Sequence, residues 1–250
     1  MIQKYYKYRA FDEFTDRIIT NSSLYYASPH DFNDPFDCQL SFRESYSKKE
    51  IREFFIDFLT RRPDFPLPLK KLISEYGKSE QFINFAKQHM NKFIQNVGIV
   101  SLSKNYNNIL MWSHYADNHK GLVFEFSEIQ KYNKISKMIG TSITYKNSYD
   151  LLSYTPASKE DQINELEKLF LTKHNHWIYE EEFRLIDFSF QGEKEFPKEI
   201  LTSIIFGLNT KQSDIDHMIQ LCKDNGFEHV KFKKAQKAPG KFALEFIDIT

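Results

Sequence analysis

The sequence predicts an α+β fold, a single domain over 1–250 with a central mixed sheet and a helical lobe around residues 47–96. Three observations carry this. Short apolar stretches of strand character recur from one end of the chain to the other. Amphipathic helical patterns of unequal length fall between them, without regular strand–helix–strand alternation. The 250 residues are enough for one core of normal depth, and two cysteines are too few for a disulfide framework.

The elements follow in chain order. "IQKYYKY" predicts a first strand. "FDEFTDRIIT" predicts a short helix with Phe11, Phe14 and Ile18 inward. "SSLYYAS" reads as a second strand, and "PHDFNDPFD" as a loop, because its two prolines and four Asp or Asn residues favour turns. Ile51, Phe54, Phe55, Phe58 and Leu59 recur at helical spacing, and "RRPDFPLP" ends that helix. "LKKLISEY" is a second short helix. Phe82, Phe85, Ala86, His89, Met90, Phe93 and Ile94 repeat the pattern on a third, with His89 as a core histidine.

"VGIVSLS" is a strand, about 108–116 a short helix, and "GLVFEF" and "TSITY" are strands. Residues 159–174 read as a helix with Ile163, Leu166, Leu169 and Phe170 inward. "EEFRLIDFSF" and "LTSIIFG" are strands. Ser213 followed by Asp216 resembles a capping box opening a helix with Ile215, Met218, Ile219 and Cys222 inward. "EHVKFKKA" and "FALEFIDI" complete the sheet.

Lys and Arg number 34 and so do Asp and Glu, so the formal net charge is zero. That removes the global electrostatic argument for a nucleic-acid partner. The start "MIQKYYKYRAF" lacks an apolar signal core, and no run approaches 18 apolar residues. With the two cysteines, Cys38 and Cys222, this predicts a soluble protein of the reducing cytoplasm without a membrane partner. The 24 Phe and 14 Tyr fill a core and leave a tyrosine surplus to line a ligand groove; a biased Lys, Asn, Ile and Phe composition explains them equally well.

Four stretches carry unusual polar chemistry. In "YKYR" Tyr6 and Tyr8 share one strand face and Lys7 and Arg9 the other. The basic face would clamp a phosphate, with Arg9 offering a bidentate fork; a solvated edge strand suits Lys7 better. In "SPHDFNDPFD" Asp31, Asn33 and Asp34 cap turns, while Asp34 with Asp37 would hold a hard cation. In "MWSHYADNHKG" a helix puts Trp112, Tyr115 and Ala116 on one side, next to His114, so Trp112 serves the core. His114 is read equally as a core hydrogen-bonder or as part of an imidazole and aromatic wall for a planar ring. His114 and His119 are five apart, which is not the zinc-helix spacing, and no metal site is assigned.

In "KHNHWIYEEEFR" a strand puts Glu180, Glu182 and Arg184 on one face. If that face is buried, two carboxylates must share protons or cations, which prepares acid/base or electrostatic catalysis. On an exposed edge the same residues form a Glu–Arg ladder.

Taken together, Tyr6-Lys7-Tyr8-Arg9, Phe32-Asn33-Asp34-Pro35-Phe36-Asp37, Met111-Trp112-Ser113-His114-Tyr115-Ala116 with Lys120-Gly121, and Lys173 with Trp177, Tyr179, Glu180, Glu182 and Arg184 resemble the bacterial family called domain of unknown function 2971. That resemblance supplies sites rather than a reaction. In order along the chain, Arg9, the Tyr26 and Ser28 region, and Glu182 or Glu180 also resemble ADP-ribosyltransferase-like enzymes. It implies a bent or split mixed sheet and NAD as substrate. It further implies Glu182, Glu180 and His114 as catalytic residues. Ligand contacts would come from Arg9, Tyr8, Tyr26, Ser28, Asn33, Asp34, Tyr115, Lys173 and Arg184. A role as an effector in a defence or toxin system is implied as well. The alternatives are a metal-dependent nuclease or phosphoesterase, with Asp34, Asp37, Glu180 and Glu182 on the cation, and a non-catalytic nucleotide-sensing domain.

Overall fold

The computed structural model describes residues 3–39, 41–129, 132, 138–148, 151 and 168–249. The chain folds as two compact units. The first comprises Met1–Ala27, Gly98–Ile143 and His176–Thr250; the second comprises Ser28–Val97 and Thr144–Asn175. The α+β expectation holds, with one large mixed sheet.

That sheet belongs to the first unit. Its strands are β1 (Lys4–Arg9), β3 (Gly98–Ser103), β4 (Leu122–Ser127), β5 (Ile139–Ser142), β8 (Glu182–Asp187), β10 (Leu201–Phe206), β11 (Lys231–Lys237) and β12 (Leu244–Ile249). They run in the order β12-β11-β10-β4-β1-β3-β8-β5. Only β10 and β11 pair in parallel; the other neighbours are antiparallel. β1 and β4 pair over six residues, but β1 and β3 share the single register Tyr6↔Ser103. The sheet is therefore all but split at its centre.

One face packs Tyr5, Val100, Leu102, Leu122, Phe124, Phe126, Phe183 and Leu185 into the main core. Helices α1 (Glu13–Thr20) and α6 (Gln212–Asp224) cover it through Ile18, Ile19, Ile215, Met218 and Cys222. β2 (Ser23–Tyr26) and β9 (Gly192–Glu195) form a separate two-stranded sheet. The opposite face packs Tyr6, Tyr8, Val123, Ile205 and Ala235 beneath α5 (Ile109–Tyr115), which buries Met111 and Trp112. Trp112 is fully buried and its Nε1 donates to the Tyr106 carbonyl at 2.7 Å, so it serves the core as expected.

The second unit contains α2 (Lys48–Arg61), α3 (Leu69–Tyr76) and α4 (Ser79–Ile94), the helices expected at about 47–96. Ser47 and Glu50 make a reciprocal capping box at α2. Ile51, Phe54, Phe55, Leu72, Phe82 and Phe85 form their core. His89 stacks on Phe85 at 4.0 Å and its Nδ1 lies 3.0 Å from the Phe85 carbonyl, which bears out the core-histidine reading. β6 (Thr144–Lys146) and β7 (Thr172–His174) pair in parallel in the same unit.

Several sequence expectations are corrected. Phe14 is 56% exposed, because Asp12 caps α1 by accepting from Thr15 N and so turns Thr15, Ile18 and Ile19 inward. Ser213 is no cap: α6 starts at Gln212, and Ser213 bonds its neighbour Asp214 instead. "TSITY" is divided between β5 and β6. Of the helix read over 159–174, residues 159–167 lie outside the described residues, 168–170 are helical, and Thr172–His174 is strand β7. β9, "GEKE", has no apolar alternation and was not legible as a strand.

The turn from α5 into β4 holds three consecutive residues at positive φ: Asp117, Asn118 and His119. Gly207, at the end of β10, lies against it. A Cβ there would meet the His119 carbonyl oxygen at 2.2 Å. Gly207→Ala is therefore expected to lower stability by about 1–3 kcal/mol, the usual cost of overpacking. Urea unfolding measures it, and an unchanged midpoint and slope would show that the turn yields.

Candidate functional site

The sheet registers place Tyr6, Ser103 and Glu182 side by side, and Ser101 beside Arg184. Facing residues in a ladder point the same way. Glu182 and Arg184 therefore stand on the Tyr6 and Tyr8 face, opposite the main core. Neither reaches water: Glu182 is 4% exposed and Arg184 is 0% exposed. Arg184 Nε donates to Glu182 Oε1 at 2.7 Å and its second terminal nitrogen to Oε2 at 3.2 Å. Two charges cross the pleat two residues apart and neutralise each other inside the protein.

Glu180 does not continue this strand face as expected. It ends a 3-10 turn, Asn175–Glu180, and Glu181 follows at φ 45, a left-handed residue that breaks the period-two pattern. Glu180 is nonetheless buried. The Ser103 hydroxyl lies 2.7 Å from its carbonyl oxygen and holds the turn to β3. Tyr115 of α5 donates its phenolic proton to Glu180 Oε1 at 2.5 Å. One residue earlier on each element, His114 Nδ1 lies 3.0 Å from the Tyr179 hydroxyl. Asn108 caps α5 by accepting from Leu110 N at 2.9 Å, and its Nδ2 donates to the Tyr179 carbonyl at 3.1 Å. Trp177 lies 6.1 Å from Tyr179, ring to ring. The 3-10 turn and α5 are thus docked at both ends. A buried carboxylate bonded to a half-buried phenol lies inside, and an exposed imidazole lies outside with Tyr179 against it.

Lys7 and Arg9 occupy the other face of β1. Since β1 is flanked on both sides, the solvated-edge reading of Lys7 fails. Lys7 Nζ donates to the Ser101 carbonyl at 3.0 Å across the gap where β1 and β3 stop pairing. Burial pushes its pKa down to about 8; the Arg9 charge lowers it further, and Glu182 opposes the shift. Arg9 is engaged locally, with Nε on Thr15 at 3.1 Å and a terminal nitrogen on Asp12 at 3.0 Å. It is not brought to the Glu182 face. Tyr8 is buried and donates to the Asn105 carbonyl at 2.9 Å. Tyr26 is wholly buried with its hydroxyl 2.7 Å from Met138 sulfur, so it packs the core rather than lining a groove.

The remaining expected residues belong to the second unit. Ser28 caps a short 3-10 turn, its Oγ accepting from His30 N at 3.3 Å. Asp34 Oδ1 accepts from Phe36 N at 2.9 Å, the ordered turn that an Asn-Asp-Pro sequence favours. Asn33 precedes it in the same turn region. Asp34, Asp37 and Lys173 are all buried, with Lys173 Nζ 3.8 Å from Asp37 Oδ2. Among the described residues, no three His, Cys, Asp or Glu side chains come together as a metal-holding group. Nor is any described helix long and apolar enough to cross a membrane.

Sequence reasoning missed Tyr179 as a site residue. It had a signal, being inside the Trp-x-Tyr-Glu block, but a strand reading turned it away from Glu180. Lys7 was read as part of a phosphate-clamping basic face or as a solvated edge residue, because nothing local reveals that β1 is central.

Lys7 makes the cluster testable by pH. Below about pH 8 both folded and unfolded chains hold the Lys7 proton, and the burial penalty is fully present. Between about 8 and the ordinary 10.5 the folded chain has shed a proton that the unfolded chain keeps. The Lys7 contribution to stability therefore rises with pH across that window. Denaturant unfolding of the wild type and Lys7→Met, at intervals from pH 7 to 10, is expected to show the wild type gaining on the variant above pH 8. Parallel profiles would contradict the assignment.

Residues 111–185 match the sequence model of the family described as "Protein of unknown function (DUF2971)". The matched stretch includes most of α5, the Asn175–Glu180 turn and the start of β8, and it bears out the family resemblance read from the motifs. No curated protein and no solved structure matches the chain.

Proposed function

We propose that this protein cleaves the N-glycosidic bond of NAD and transfers the ADP-ribosyl group to an acceptor, with Glu180 as the reacting carboxylate. The observation that carries the reading is the 2.5 Å hydrogen bond from the half-buried Tyr115 to the buried Glu180, beside the exposed His114 and the half-buried Tyr179. Both oxygens of Glu182 are occupied by Arg184, so Glu182 serves as the anchor and Glu180 as the reactive partner.

The chemistry suits these groups. Nicotinamide in NAD is a cationic ring, and aromatic faces attract cations. As the C–N bond breaks, its electron pair returns to the ring nitrogen and positive charge moves to the ribose carbon. A preorganised carboxylate in a low-dielectric setting stabilises that oxocarbenium-like charge. The acceptor nucleophile then bonds to the ribose carbon and releases a proton. His114, on the exposed side, is placed to take it.

Glu180→Gln preserves size, and its amide oxygen can still accept the Tyr115 hydrogen bond. It is expected to keep its melting temperature within a few degrees and to slow nicotinamide release from NAD by about 10²–10³-fold, the usual loss when a preorganised electrostatic group is removed. Glu182→Gln is expected instead to lower the melting temperature. Nicotinamide release at the wild-type rate by Glu180→Gln would overturn the assignment. NAD-induced stabilisation of the wild type without any nicotinamide release would favour the nucleotide-sensing reading.

A further inference from the structure

The second unit contains a cavity of about 440 Å³ formed by α2, α3 and the start of α4. That volume is in the range of small-molecule sites. Ile51 of α2 and Ile73 of α3 give it an apolar wall, while Lys48, Ser74, Lys78, Gln81 and Glu75, whose charge Lys71 meets at 3.9 Å, contribute polar groups. No residue of the candidate site described above takes part in it.

Three features of this cavity point to a ligand. The first is charge. Lys49 and Lys71 of the same helices have carboxylate partners at 3.9 Å, Glu53 and Glu75. Lys48 and Lys78 have no such ion pair among the described residues, and both line the cavity. The second is the amide of Gln81. Its Oε1 is buried and has no hydrogen-bond partner among the described residues, a state that costs free energy until a donor arrives. The third is α4 itself. This 16-residue helix begins after Lys78 with no side-chain cap, so its first N–H groups add positive partial charge next to the lysines. Its first turn carries Gln81.

These features define the ligand by chemistry. An anionic group meets Lys48, Lys78 and the start of α4. A hydroxyl on the same molecule donates to Gln81 Oε1. A short carbon skeleton lies along Ile51 and Ile73. A phosphate ester suits the first requirement, because lysines and a helix N-terminus together are a common phosphate setting. We propose that this cavity is a binding site for a small phosphorylated polyol, of the size of a sugar phosphate. It stands on the helical unit alone and does not rest on the reading of Glu180.

Isothermal titration of the full chain with ribose 5-phosphate, inorganic phosphate and ribose tests it. Ribose 5-phosphate is expected to bind, inorganic phosphate to bind more weakly, and ribose not to bind. Gln81→Leu is expected to weaken ribose 5-phosphate about tenfold, the worth of one hydrogen bond, and to leave inorganic phosphate unchanged. Lys48→Met/Lys78→Met is expected to abolish both. Thermal unfolding checks that each variant remains folded; these positions are on the surface of the helical unit or its first turn. The proposal is overturned if ribose 5-phosphate does not bind the wild type, if the lysine pair variant binds it normally, or if Gln81→Leu leaves its affinity unchanged.

Discussion

The Glu182–Arg184 pair is the constraint around which the first unit is arranged. Arg184 is wholly buried in a sheet whose other face packs the main apolar core. A guanidinium there is tolerable only with a carboxylate in bidentate reach, and Glu182 supplies it from two residues away on the same strand. The pair also sets the path of the chain into β8. Because Glu182 must face Arg184's side, the left-handed Glu181 redirects the backbone, and Glu180 enters from a turn rather than from a strand. That redirection brings Glu180 under Tyr115.

The gap between β1 and β3 belongs to the same arrangement. One registered pair joins the two strands, and the Lys7 ammonium takes up the Ser101 carbonyl beyond it. Ser101 is also the ladder partner of Arg184, and Glu182 acts on the Lys7 charge. A cation therefore lies on each side of β3 at this level, with Glu182 interacting with both. The local geometry outside the sheet is held by hydrogen bonds of a simpler kind: the Asn108 cap on α5, its second bond to Tyr179, and Ser103 against the Glu180 carbonyl.

Much of this was legible in the sequence where local chemistry decides the outcome. The apolar run in "GLVFEF" makes β4, and Asp before Pro35 makes an ordered turn. The motif blocks singled out Glu182, Arg184, Tyr115 and His114; the structure pairs Glu182 with Arg184, Tyr115 with Glu180 and His114 with Tyr179. The parts that were not legible depend on partners distant in sequence or on unannounced turns. Arg9 looked like a ligand clamp because its own Asp12, three residues on, was counted as a helix residue and not as its acceptor. Lys7 looked solvated because strand order is a property of the whole sheet. Tyr26 looked like a groove residue because its partner, Met138, lies 112 positions away. Glu180 departed from period two because a single positive-φ residue, without a glycine to announce it, changed the register.

The central claim is that Glu182 and Arg184 act as one unit that organises this face. A double-mutant cycle of folding free energy, with Glu182→Leu, Arg184→Met and the two combined, measures it most directly. Each single change removes one half of a buried, bidentate ion pair and is expected to cost about 3–5 kcal/mol. The combined variant removes both charges and should recover most of that, leaving a coupling energy of at least about 2 kcal/mol. Additive losses, with the double variant as unstable as the sum of the singles, would contradict the claim.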